Sequence, residues 1–144
     1  MEQRLGYWLK LLHDRAPGSI GEMLQFEIGA CDEAVGCYTL YASTEKWMAN
    51  AFGSLHGGII STALDQGMGM VASCMMEGKA ITPTVEMNTT FHHFLVPGNR
   101  MLLKIYVVAH TRTMIHLRAE VMDESVPEKL CASATAIFFI KPIE

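Results

Sequence analysis

The chain has 144 residues, half of them hydrophobic, with 11 Lys and Arg against 15 Asp and Glu, a formal net charge of −4. That length fits one domain with a sizeable core, and an acidic balance without a basic run excludes a nucleic-acid surface. Charged residues are only 18 % of the total, a shortfall that points to surface covered by another chain.

Residues 2–13 carry Leu5, Trp8, Leu9 and Leu12 at helical spacing, which predicts a short amphipathic helix ended by Ala16-Pro17-Gly18-Ser19. No basic stretch followed by an apolar run opens the chain, so the expected location is cytoplasmic, without a leader peptide. Residues 23–28 and 36–42 read as two strands, with Cys31-Asp32-Glu33-Ala34 turning between them. A loop follows over 43–53, containing Trp47 and Asn50.

From Ser54 to about Met76 the pattern predicts one long helix, with Ser54 as its N-cap and Gly57 and Gly58 at its opening. Ile59, Ile60, Ala63, Leu64, Met68, Met70, Val71 and Ala72 make it apolar on every side, the signature of a buried helix. Asp65, Gln66, Gly67 and Gly69 interrupt it too early for a membrane span. Asp65 is the anomaly, because a buried charge is costly without compensation.

The second half reads as four strands. Residues 84–94 alternate, with Val85, Met87, Thr89 and Phe91 on one face; 101–110 and 114–123 follow, and 129–140 after a break at Val126-Pro127. The alanines of that last run (Ala132, Ala134, Ala136) suit a sheet with a thick helix against it. Short turns imply antiparallel pairing, and six strands with one buried helix make an α+β layer design. Cys31, Cys37, Cys74 and Cys131 lack metal-type spacing and read as core side chains or free thiols. His92 and His93, adjacent in a strand, face opposite sides. No metal and no cofactor are expected.

Asn50, His56-Gly57-Gly58, Asp65 and Thr84-Val85-Glu86-Met87-Asn88 together resemble the hot-dog-fold acyl-CoA thioesterases, in the PaaI-like, phenylacetic acid degradation branch. The resemblance runs from the first strand to Ile140. It implies a hot-dog fold, an antiparallel six-stranded sheet wrapped around the long central helix. It also implies a single domain over 1–144 with residues 1–16 as a helical extension, a homodimer or dimer of dimers, and an acyl-CoA substrate.

Thioester hydrolysis needs an activated water and donors for the charge that develops on the carbonyl oxygen. Asp65 is the candidate general base or nucleophile, with Thr84 holding the water against it; the plain alternative is a structural carboxylate bonded to a neighbouring Thr or Gln. The Gly57 amide, at a helix N-terminus, is the candidate oxyanion donor, and Asn50 a second one, although an Asn in a loop is more often a turn residue. His56 is expected to orient the loop. Gly58, Gln66, Met68 and Gly69 are candidate substrate contacts. Gly57 and Asp65 lie roughly 12 Å apart along the helix axis, so the site is expected to be shared between two chains. Two other readings carry different chemistry: an acyl-CoA binding module without turnover, and a dehydratase acting on hydroxyacyl thioesters.

Overall fold

Strands joined by short turns pair first with their chain neighbours, and the computed structural model, which describes residues 1–143, is built mostly that way. The strands of the main sheet are β1 (Glu27–Asp32), β2 (Cys37–Ala42), β4 (Thr84–Phe91), β5 (Met101–His110), β6 (Met114–Asp123) and β7 (Val126–Phe139). They form one six-stranded sheet in the order β1-β2-β5-β6-β7-β4, antiparallel throughout. The short strands β3 (Ala80–Ile81) and β8 (Lys141–Pro142) pair separately. Helix α1 (Glu2–Arg15) and the short α2 (Ile20–Met23) precede the sheet, and the long α3 (Gly57–Met75) lies between β2 and β3.

Helix α3 touches β2, β4, β5, β6 and β7, so the sheet wraps around it. Small side chains make this approach possible. Ala132, Ala134 and Ala136 of β7 are buried, and Gly67 of α3 faces Ile105, Leu103 and Leu40, which an added Cβ would meet at 3.3–3.5 Å. Leu64, Met68, Val71 and Ala72 fill the space between, all fully buried. Burial of one such side chain contributes about 1.5–3 kcal/mol. Arg4 fastens α1 to the far end of α3, donating to the Cys74 carbonyl (3.0 Å) and the Glu77 carboxylate (3.1 Å).

Several element boundaries differ from the sequence pattern. The strand expected from Met23 begins only at Glu27, because residues 20–23 form α2 instead. Ser19 caps that turn by accepting from the Glu22 amide, and Glu22 reaches back to the Gly18 amide and His13; Ser-x-x-Glu is a helix-start signal. Gln25 then turns the chain with φ +44°. At the next turn Asp32 accepts from the Ala34 and Val35 amides and Gly36 takes φ +68°, so Cys31 and Asp32 belong to β1. β7 starts at Val126 rather than Lys129, because irregular pairing with β6 around Met122 absorbs the proline. β4 ends at Phe91, short of Phe94.

Helix α3 also departs from the expectation of burial on every side. Ser61, Thr62, Asp65, Gln66, Gly69 and Ser73 are only half-buried, at the three- and four-residue spacing of one helix face. The polar residues that interrupt the apolar pattern therefore share one stripe, which the chain's own sheet covers only in part.

Candidate active site

The start of α3 is built by the loop before it. Asn50 accepts from the Phe52 and Ser54 amides through Oδ1 (2.9 and 3.2 Å) and donates from Nδ2 to the Ser54 hydroxyl (2.8 Å). Ser54 is buried in that turn and does not cap the helix. The cap is His56, whose Nδ1 accepts from the Gly58 amide at 2.9 Å. Nδ1 is thus an acceptor, and the imidazole caps the first turn of α3. The Ile59 and Ile60 amides both turn back to the His56 carbonyl. Gly57 is the first helical residue, where an α-helix has no internal acceptor for the amide. A Cβ at Gly57 would lie 3.1 Å from Phe91 Cζ, so a side chain there would have to push that ring aside by a few tenths of an ångström.

Asp65 lies two turns further on. Thr84 Oγ1 donates to Asp65 Oδ1 at 2.7 Å, bringing together two residues 19 apart in the chain. A β-bulge makes this contact possible. Simple alternation along β4 would put Thr84 on the face opposite Met87. The register slips between Thr84 and Glu86, and the extra residue reverses the parity, so Thr84 turns toward α3. Val85, which alternation places on the face of Met87, is 58 % exposed.

A cavity of about 210 Å³ opens beside this pair, lined by Asp65, Gln66, Gly69, Thr84, Phe138 and, from α1, Trp8. Gln66 and Gly69 therefore sit where a ligand could touch them. Met68 does not: it is fully buried against the sheet and belongs to the core. Gly58 is exposed at the helix start. Trp8 was not singled out from the sequence as a site residue, since helical spacing places it among core positions and nothing local links it to Asp65. A larger cavity, about 480 Å³, lies between α1 and α2 and includes neither Asp65 nor Gly57.

Other candidates fall outside this geometry. Cys74 is buried at the end of α3, and burial pushes its thiol up to about 11, which keeps it protonated and inert. His92 bonds to the Ser133 hydroxyl and His93 to the Leu130 carbonyl, on separate partners. Among the described residues no helix is long and apolar enough to cross a membrane.

A search of curated proteins finds no sequence match. Solved structures do match the fold. A phenylacetic acid degradation-related protein of Ralstonia eutropha JMP134 superposes with a TM-score of 0.80 at 20 % identity, over 94 % of this chain and 98 % of that one. The Escherichia coli PaaI protein of the phenylacetic acid degradation operon gives 0.78 at 13 % identity, over 99 % and 95 %. A Streptococcus mutans protein bound to acetyl-CoA gives 0.69 at 20 % identity, over 81 % and 89 %. These likenesses establish the hot-dog fold. The thioesterase superfamily model matches residues 52–129, from the loop before α3 into β7. That span is more than half of the chain and includes Gly57, Asp65 and Thr84, so the chain belongs to the thioesterase superfamily.

Proposed function

We propose that the protein hydrolyses acyl-CoA thioesters to the free acid and CoA, in sites shared between two chains of a homodimer. The observation that carries this reading is the Asp65–Thr84 hydrogen bond on the open stripe of α3. The Thr84 hydroxyl occupies Oδ1 of Asp65 and leaves Oδ2 to accept a proton from water. The water oxygen then attacks the thioester carbonyl carbon. Negative charge develops on the carbonyl oxygen, which the Gly57 amide and the second Nδ2 hydrogen of Asn50 stabilise. The C–S bond breaks, and the departing sulfur takes the proton held by Asp65. One thioester and one water give one acid and one thiol. His56 serves this step by fixing the helix start, and Gly58, Gln66 and Gly69 contact the substrate. The acetyl-CoA held by the Streptococcus mutans relative supports CoA as the carrier.

Two chains are needed for a distance reason. Gly57 and Asp65 are eight residues apart, roughly 12 Å along the helix. A reacting carbonyl must lie about 3 Å from its oxyanion donors and from the group attacking it. Two α3 helices facing each other antiparallel across a two-fold axis bring each N-terminus beside the partner's second turn. The surface supports such pairing. β4 is an edge strand, open on the side away from β7, with Val85 and Phe91 exposed, and Phe52 and Phe94 are 91 % and 79 % exposed. Apolar patches of this kind on a sheet edge need covering.

The test is thiol release from a panel of acyl-CoAs, with product masses. Equal amounts of free acid and CoA support hydrolysis. Binding without turnover on every substrate, or loss of water from a hydroxyacyl thioester, would sink the proposal.

A further inference from the structure

Two hydrogen bonds tie α3 to the segment that enters β4. Thr84 donates to Asp65, and the Ser73 and Thr82 hydroxyls are bonded at 2.7 Å. Asp65 and Ser73 are eight residues apart on one helix face, roughly 12 Å along its axis, whereas Thr82 and Thr84 are two residues apart and span at most about 7 Å, so the two rungs converge from the helix toward β4. Midway between them, on the same face, is Gly69. The 210 Å³ cavity lies between the rungs, with Phe138 and Trp8 in its walls.

Packing does not demand glycine at position 69. An added Cβ would meet only Phe138 Cε1, at 3.5 Å, an ordinary contact. Alanine would fit, and it would favour the helix. What glycine supplies is empty space. Trp8 has a similar character. It sits one turn after Arg4, which pins α1 to the end of α3 and so holds the indole at the cavity.

We propose that this cavity receives the acyl group, and that Gly69 and Trp8 set the upper limit on its size. The inference rests on Asp65 acting at the carbonyl. With the carbonyl at the Asp65 rung, the acyl group runs along Gly69 toward Ser73, where the second rung stops it. A volume of 210 Å³ holds roughly seven groups of water size, at ~30 Å³ each. Compact acyl groups up to about octanoyl fill it. Chains twice as long do not fit.

The experiment measures kcat/KM for acetyl-, butyryl-, hexanoyl-, octanoyl-, lauroyl- and palmitoyl-CoA, below micelle-forming concentrations. The proteins are wild type, Gly69→Ala, Gly69→Val and Trp8→Ala. Wild type should lose efficiency beyond octanoyl. Gly69→Val should lower the octanoyl-to-acetyl ratio about tenfold or more, the scale on which a pocket rejects added methylenes. Gly69→Ala, which gains helix propensity and so folds, should shift the ratio the same way by less. Trp8→Ala should raise the lauroyl-to-octanoyl ratio. Circular dichroism checks each fold. If wild type hydrolyses the panel but Gly69→Ala and the folded Trp8→Ala variant keep its ratios within twofold, the size filter is wrong and the hydrolase reading stands. Palmitoyl handled as well as octanoyl by wild type also overturns the filter. If wild type hydrolyses nothing in the panel, the hydrolase reading fails and takes this inference with it.

Discussion

Gly67 and Gly69 stand two residues apart in α3 and face different surroundings. A Cβ on Gly67 would press on Ile105 Cδ1 and Leu103 Cδ2 at 3.3 Å, whereas one on Gly69 would touch only Phe138 at 3.5 Å. The first glycine lets the helix approach its sheet. The second leaves a cavity open. The contrast extends along the whole helix. Leu64, Met68 and Val71 lie against the sheet with nothing exposed, while Asp65, Gln66 and Ser73 lie on a half-buried stripe that the sheet only borders, through Thr84 and Phe138. One side of α3 holds the fold together, and the other presents groups that can do chemistry.

Substitutions on the two sides should therefore fail in different ways. Leu64→Ala removes a fully buried side chain from the sheet side. It should cost about 2–5 kcal/mol of stability in denaturant unfolding, the range for a large core residue cut to alanine. Its neighbour Asp65 is on the stripe. Asp65→Asn should lower kcat by about 10²-fold or more, the scale of a lost general base. Its unfolding midpoint should stay near that of wild type, since only the hydrogen bond to Thr84 is altered. A large stability loss with an unchanged kcat would put Asp65 among the structural residues and erase the contrast. Asn50→Ala lies between these cases, because Asn50 both builds the 50–54 turn and carries a spare N–H. It should lower kcat by about 10²-fold, as for one lost oxyanion donor. A rise in KM with kcat unchanged would make Asn50 a ground-state binding contact and remove it from the oxyanion site.

The two sides of α3 were unequally legible in the sequence. Apolar spacing marked the helix, and alternation marked the strands, because both report directly on periodic burial. The motif residues Asn50, His56, Gly57, Asp65 and Thr84 were legible through their resemblance to a family. The open stripe was not, since a mean apolar content says nothing about where the covering sheet stops. Alternation also pointed Thr84 the wrong way, because a bulge changes parity without leaving a mark in the pattern. The Ser19-x-x-Glu22 signal for α2 was present and competed with strand-like Met23 to Ile28. Trp8 and Asp65 line one cavity only through tertiary packing, 57 positions apart in the chain.

Mixing variants probes whether the stripe is completed by a second chain. Asp65→Asn and Asn50→Ala homodimers should each be nearly inactive. In a heterodimer of the two, one composite site carries both lesions and the other none. Such a dimer should recover about half of wild-type activity, if each site takes Asn50 and Gly57 from one chain and Asp65 from its partner. Verified heterodimers as inactive as their parents would confine each site to one chain.

The smallest effect returns to the two glycines. Gly69→Ala adds a methyl that fits at 3.5 Å and removes backbone freedom from the unfolded chain. It should stabilise the protein by about 0.5–1 kcal/mol, raising Tm by roughly 2–4 °C. Gly67→Ala gains the same propensity but must push two buried methyl groups aside by a few tenths of an ångström. Crowding a packed core costs about 1–3 kcal/mol, which cancels or exceeds that gain. The two variants should therefore move Tm in opposite directions, or Gly67→Ala should leave it unchanged. Equal stabilisation by both would mean that α3 packs as loosely on its sheet side as at the cavity, and the division between its two faces would fall.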